Sequence, residues 1–227
     1  MTSVFAQYIP QAWPYRYAGT LHIATLAGGT PADPKVAEGW LRTKLAPKED
    51  LLRDMVTEVM AEMGVTAEEA AKEVDRRKHL NGFRRDPERG GELYIEGRQL
   101  KAAIKEAASV AAAAGKLPIQ KWGKTNKFIF GFVAEHIQVV EERLHLGVTE
   151  PAGVHQSFPE NKKAGVRGIQ YTEVCRDVKT DFTVIADHEF SDTDWAMLWL
   201  TGEQQGIGAS RSQGCGRYEV KRWERVS

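Results

Sequence analysis

Apolar and polar positions begin to alternate at Tyr15. Through Leu26, residues Tyr15, Tyr17, Leu21 and Ile23 fall on one side and Arg16, Thr20 and His22 on the other. A period of two over that length predicts a half-buried strand with a polar face. Upstream, Pro10 and Pro14 argue against regular structure in residues 1–14. Downstream the strand runs into Ala27-Gly-Gly-Thr-Pro-Ala-Asp-Pro34, a loop carrying Asp33.

The period then changes. Leu51, Leu52, Met55, Val56, Val59, Met60 and Met63 recur at helical spacing, with Pro47 suited to the first turn and Gly64 to the stop. Methionines so spaced read as core. Thr66-Ala-Glu-Glu69 is a capping-box pattern that opens a second helix toward His79. Gly91–Gly97 predicts a short strand, followed by an alanine-rich helix over Arg98–Ala114 with Leu100, Ala103, Ile104, Ala107 and Ala111 on one face. Gly115 and Pro118 end it. Phe128–Val140 is apolar and aromatic enough to read as a strand, and Arg143–Val148 as another. Residues 150–168 are loop-like, and Ile169–Val174 with Asp181–Ala186 predict a hairpin. Ser191 then caps a helix whose inner face is Trp195, Leu198 and Trp199, with Asp194 near its positive end and Gly202 at its close. Arg217–Val226 is the last strand, with Arg217, Lys221, Trp223 and Arg225 on one face and Glu219 interrupting them.

Without its insertions this order is β-α-β-β-α-β, a ferredoxin-like α+β fold. The reading is of one domain over 1–227, with a core of about 15–34 and 91–227. A helical insertion occupies about 47–80 and a loop insertion about 150–168.

Composition narrows the function. The 227 residues are 42% hydrophobic and 27% charged, as in globular proteins, and 31 basic side chains balance 31 acidic ones. A nucleic-acid surface on a neutral chain has to be a local patch. Cys175 and Cys215 form no Cys-x-x-Cys pair, so neither a structural zinc site nor a disulfide framework is expected, and no metal or cofactor is assigned. With no signal-like N-terminus and no apolar run of membrane-spanning length, a cytoplasmic protein without a membrane partner is expected.

The chemistry concentrates in Gly206-Ile-Gly-Ala-Ser-Arg-Ser-Gln-Gly-Cys-Gly-Arg-Tyr218. It is neither a P-loop nor a dinucleotide fingerprint, because no Lys follows the second glycine and a helix, not a strand, precedes it. Its glycines allow close backbone approach, and its arginines and hydroxyls suit phosphate oxygens. The basic run Arg76-Arg77-Lys78-His79 with Arg84, Arg85 and Arg89 reads as solvated surface. Lys116, Lys121, Lys124 and Lys127 surround Trp122, an ingredient of single-strand binding, although the stretch reads first as a solvated loop.

Three stretches resemble the RAMP superfamily, the RNA-binding proteins of CRISPR effector and processing complexes, built on ferredoxin-like (RRM-type) domains. They are Tyr15–Leu26 running into Gly28-Gly29, Glu92–Lys105 at the start of the first helix, and the Arg211-Ser-Gln-Gly-Cys-Gly-Arg217 core of the glycine loop. The helix start departs from the family's pattern at Glu96, Arg98 and Ala102, where Pro, Ser and Gly are usual. The resemblance is to the backbone subunit that oligomerises along guide RNA. It implies single-stranded RNA, further copies of the chain and other effector-complex subunits as partners. The RNA contacts it implies are Arg98, Lys101, Gly206, Gly208, Ser210, Arg211, Ser212, Gly214, Gly216 and Arg217. Two alternatives stay open: a metal-independent processing endoribonuclease of the same superfamily, and an assembly protein that binds no nucleic acid. For catalysis the candidates are Asp33, where certain backbone subunits carry a catalytic aspartate, and His22 or His155. The expectation is a non-catalytic binder.

Overall fold

The computed structural model describes residues 4, 6–31, 48–78, 80–117, 126–157, 160–161, 166–167 and 170–226. In chain order its regular elements are α1 (Ile9–Ala12), β1 (Tyr15–Ala27), β2 (Thr30–Pro31), α2 (Lys48–Met63), α3 (Ala67–Lys78), β3 (Leu80–Gly82), β4 (Arg84–Asp86), β5 (Glu92–Glu96), α4 (Gly97–Ala113) and α5 (Asn126–His136). Then follow β6 (Ile137–Val139), β7 (Arg143–His145), β8 (Gly153–Ser157), β9 (Glu160–Asn161), β10 (Val166–Arg167), β11 (Gln170–Ala186), α6 (Asp192–Gln205) and β12 (Tyr218–Arg225). Two compact units form. One is Met1–Leu26, Arg85–Glu150 and Cys175–Ser227; the other is Ala27–Arg84 and Pro151–Val174.

In the first unit the strands run β12-β1-β11, with β6 on the far side of β11. Counting β1, β6, β11 and β12 as the four strands of a βαββαβ chain, this is the 4-1-3-2 order of an α+β ferredoxin-like sheet. β1 keeps the alternation expected of it, with Tyr17, Gly19, Leu21 and Ile23 buried. Gly19 is required there, because any Cβ would enter the Phe182 ring. Tyr17 stacks on Trp223 at 5.0 Å, and Trp195 lies 5.0 Å from Tyr17 and 4.9 Å from Trp223. Burying aromatics of this size contributes about 2–3 kcal/mol each before packing effects. The alanines of α4 bring it close to α6, where Gly202 faces Ala107. A separate three-stranded sheet, β4-β5-β7, completes the unit.

In the second unit, the start of β11 pairs antiparallel with β8 and parallel with β3, and β2 pairs antiparallel with β3. The helical pair α2–α3 has its own small core of Val59, Ala70 and Val74, which Met55, Val56 and Met60 cover. The capping box forms as expected: the Thr66 backbone N–H donates to Glu69 at 3.0 Å and the Glu69 N–H donates back at 3.4 Å. The basic run of α3 is engaged with acids. Arg76 and Arg77 both clasp Glu73, at 2.8 and 3.0 Å, and Arg77 also reaches Glu62. The Arg76 hydrogen bond, joined by Arg77 and opposed by burial, holds the Glu73 carboxyl at about 2.

Six local expectations need correction. Within 150–168, read as loop-like, Gly153–Ser157 is strand β8, paired antiparallel with the start of β11. Residues 6–12 are helical, and Pro10 sits in the first turn, where no N–H is needed. Asn126–His136 is a helix, not a strand: Ile129 and Val133, four apart, are both buried, and an unbroken apolar run does not distinguish the two periods. The expected hairpin is one strand of 17 residues, β11. Asp177 takes a positive φ of 51°, as in a turn, but the chain continues past it without reversing. Gly202 lies inside α6, against the Tyr218 hydroxyl, and the helix stops at Gly206. The basic stripe of β12 is broken by a bulge. Thr20 pairs with Arg222 and Leu21 with Val220, so Lys221 is unmatched and Trp223 turns inward onto Tyr17.

Candidate nucleic-acid interface

The glycine loop closes on its own backbone. Gly206 ends α6 with φ +76°, its N–H donating to the Gly202 carbonyl at 2.8 Å. The Ile207 N–H then donates to Gly216 at 2.9 Å, and the Gly216 N–H to Thr25 of β1 at 2.7 Å. Gly216, at φ +79°, has the Ile207 carbonyl where a Cβ would stand. Between these rungs Ser210 adopts φ +54°, and the Gln213 and Cys215 N–H groups donate to its carbonyl. Thus Gly206, Gly214 and Gly216 direct most of their amides inward, and the loop offers side chains more than an amide cradle. Burial pushes the Cys215 thiol up, away from thiolate reactivity.

Four of the expected cations are described. Arg211 donates to Glu106 on α4 at 2.6 Å, which ties the loop to that helix. Arg98, in the first turn of α4, pairs with Glu96, and Lys101 donates to Gln138. Burial, reinforced by the charge of Lys105, pushes the Lys101 ammonium down, so a phosphate beside it would be favourable. Arg217 is exposed and has no ion pair among the described residues. Arg98 and Glu106 are about 12 Å apart along the helix axis, so loop and helix start lie within the span of a few nucleotides. Ser212 is exposed, and Gly208 and Ser210 are half-buried.

His22 stands on the outward side of β1, 3.7 Å from Asp177 and opposite Glu219. His155 is exposed on β8. Asp33, together with Lys121, Trp122, Lys124, Lys162 and Lys163, lies outside the described residues. The outward residues of β1 and β12, namely Arg16, Thr20, His22, Glu219, Arg222 and Glu224, include no Phe, Tyr or Trp, and His22 is the one ring among them.

Two clusters had no signal in the sequence. Asp86, 3% exposed, bonds to His145 at 2.8 Å and Arg143 at 2.9 Å, and accepts from the Glu88 N–H at 3.1 Å. The His145 hydrogen bond leads in holding its carboxyl at about 2, against the opposing effect of burial. His136, Asp187 and His188 form the second cluster. A cleft of about 590 Å³ runs past Tyr17, Trp223 and the start of α6, but Glu189 and Asp192 line it and Glu189 already pairs with its Arg225. Such a cleft does not suit phosphate.

No family model matches the chain, and no curated protein matches it by sequence. Solved structures do match. One is a chain from the cryo-EM structure of the Type III-B Cmr-beta bound to cognate target RNA, with a TM-score of 0.51 at 13% identity over 97% of this chain. The fold is shared. This chain spans 63% of the length of that one. No helix among the described residues is long and apolar enough to cross a membrane.

Proposed function

We propose that this protein binds single-stranded RNA along its phosphate backbone, as a backbone-type RAMP subunit that assembles with copies of itself on the strand. The observation that carries this reading is the attachment of the glycine loop, through Arg211 and Glu106, to α4, the helix whose first two turns hold Arg98 and Lys101. The shared fold supports it, since the matched chain comes from an RNA-bound assembly. Recognition is of phosphates more than of base sequence, because the described outward faces of β1 and β12 carry no Phe, Tyr or Trp on which bases could stack.

The test is fluorescence anisotropy of the purified protein with a labelled oligouridine across a salt series. Four phosphate contacts on a single strand give a slope of log K against log salt of about −3. Replacing Arg217 by Ala should weaken binding and flatten that slope by about 0.7. Light scattering with RNAs of increasing length should show mass rising in whole-subunit steps. Failure to bind at low salt overturns the reading.

A further inference from the structure

The register of β6 against β11 pairs Ile137 with Ala186. The residue before one and the residues after the other are therefore neighbours, although 51 positions separate His136 from Asp187. Asp187 presents its carboxylate to both histidines. The His136 Nδ1 is 2.8 Å from Oδ2 and 3.0 Å from Oδ1, and the His188 Nδ1 is 2.6 Å from Oδ1. The two imidazoles meet edge to face at 4.3 Å, and Phe132 packs on them at 4.3 and 5.4 Å. Two imidazole nitrogens and a carboxylate oxygen lie within 4.8 Å of one another.

We propose that His136, Asp187 and His188 form a binding site for one divalent transition-metal ion, zinc or cobalt in class. Ligands about 2.0–2.1 Å from a tetrahedral ion stand about 3.3 Å apart, so the nitrogen–oxygen pairs at 2.6 and 2.8 Å would open by about half an ångström or slightly more to admit the ion. The donor set selects the metal. Two imidazoles with one carboxylate suit zinc, cobalt, nickel or iron(II), of which zinc and cobalt best fit a four-coordinate site, whereas calcium and magnesium require oxygen ligands. With neutral imidazoles the cluster carries one negative charge, which attracts a dication and offsets half of its charge. The support is rigid: His136 ends helix α5, Asp187 directly follows strand β11, and Phe132 fixes both rings. The His188 side chain is 52% exposed, which leaves a route in for the ion and an open position for water. Bound there, the metal clamps the end of α5 to the turn that leads into α6. This site is independent of the RNA reading.

The experiment uses RNA-free protein without a polyhistidine tag, freed of metal by chelation and dialysis, and titrated with zinc chloride in a calorimeter. One equivalent should bind, and the melting temperature should rise with zinc. Cobalt chloride should give visible d–d absorption in the same ratio. In His188→Ala and Asp187→Asn the zinc affinity should fall at least tenfold, with the metal-free circular dichroism and melting unchanged for the exposed His188. His136→Gln gives a third arm if either variant folds poorly. Zinc binding of unchanged affinity in all folded variants would place the ion elsewhere and overturn the proposal. So would the absence of binding at millimolar zinc.

Discussion

Helix α6 is entered and left by two turns built on opposite plans. The turn before it, Asp187–Ser191, is fixed by side chains: Asp187 against two histidines, and a capping box in which Ser191 and Asp194 bond reciprocally. The loop after it, Gly206–Arg217, is fixed by backbone, with Ile207 on Gly216 and Gly216 on Thr25. The first plan keeps titratable groups at the surface, where an ion or proton can address them. The second removes the backbone from negotiation and leaves the side chains Arg211, Ser212 and Arg217 for a partner. One helix thus separates a chemically responsive turn from a mechanically fixed one.

The largest effect should come from adding one methyl group to the fixed loop. Gly216→Ala forces a Cβ into the Ile207 carbonyl at a positive φ. A loss on the order of 3 kcal/mol is expected in urea unfolding. His188→Ala, in the responsive turn, should change metal-free stability by less than about 0.5 kcal/mol. Equal losses in the two variants would erase the distinction.

Acid should divide carboxylate-held from backbone-held structure in the same way. Asp86 is the deeper example of a carboxylate holding an imidazole. Its folded value of about 2 lies below its ordinary 3.8, so its contribution is complete above about pH 4 and disappears as the pH falls through about 2. The urea midpoints of wild type and Asp86→Asn should differ at pH 6 and converge toward pH 2. By NMR the Glu88 amide, which donates to Asp86, should titrate with that midpoint, whereas the Ile207 and Gly216 amides should show no such titration. A matching acid transition at Gly216 would mean that the loop depends on carboxylates after all.

The capping box comes next. Ser191→Ala removes the acceptor for the Asp194 N–H at 3.2 Å and should lower stability by about 1 kcal/mol in thermal or urea unfolding. Restoration by Ser191→Thr would confirm that the side-chain oxygen is responsible.

The same contrast explains what was legible in the sequence. The glycine loop, the Thr66 and Ser191 caps and the alternation of β1 are local patterns, so spacing exposes them. The βαββαβ order follows from them, even though one strand was misplaced, because α5 and β6 together fill the interval read as a single strand. Register leaves no local trace. The bulge at Lys221 inverts the second half of β12, and the β6–β11 pairing joins His136 to His188. Asp86 meets His145 only once β4, β5 and β7 have formed a sheet. Of the expected RNA-contacting cations, the sequence marked Arg211 but not its partner Glu106, half a chain away.

That partner supplies the smallest effect and the sharpest use of the comparison. The Arg211–Glu106 pair is 36% and 41% exposed, so it is screened, and Glu106→Gln should reduce stability by no more than about 1 kcal/mol. If the loop's shape is set by its backbone, Arg211 does not need Glu106 to stay in place, and losing the acid releases a cation for phosphate. RNA affinity should then rise, while the salt slope, set by the same four contacts, stays at about −3. Arg211→Ala should lower the affinity and flatten the slope by about 0.7. The double variant should match Arg211→Ala, because Glu106 acts only through that guanidinium. A fall in RNA binding by Glu106→Gln would reverse the assignment: the carboxylate would then be aiming Arg211, and the loop after α6 would depend on a side chain as much as the turn before it.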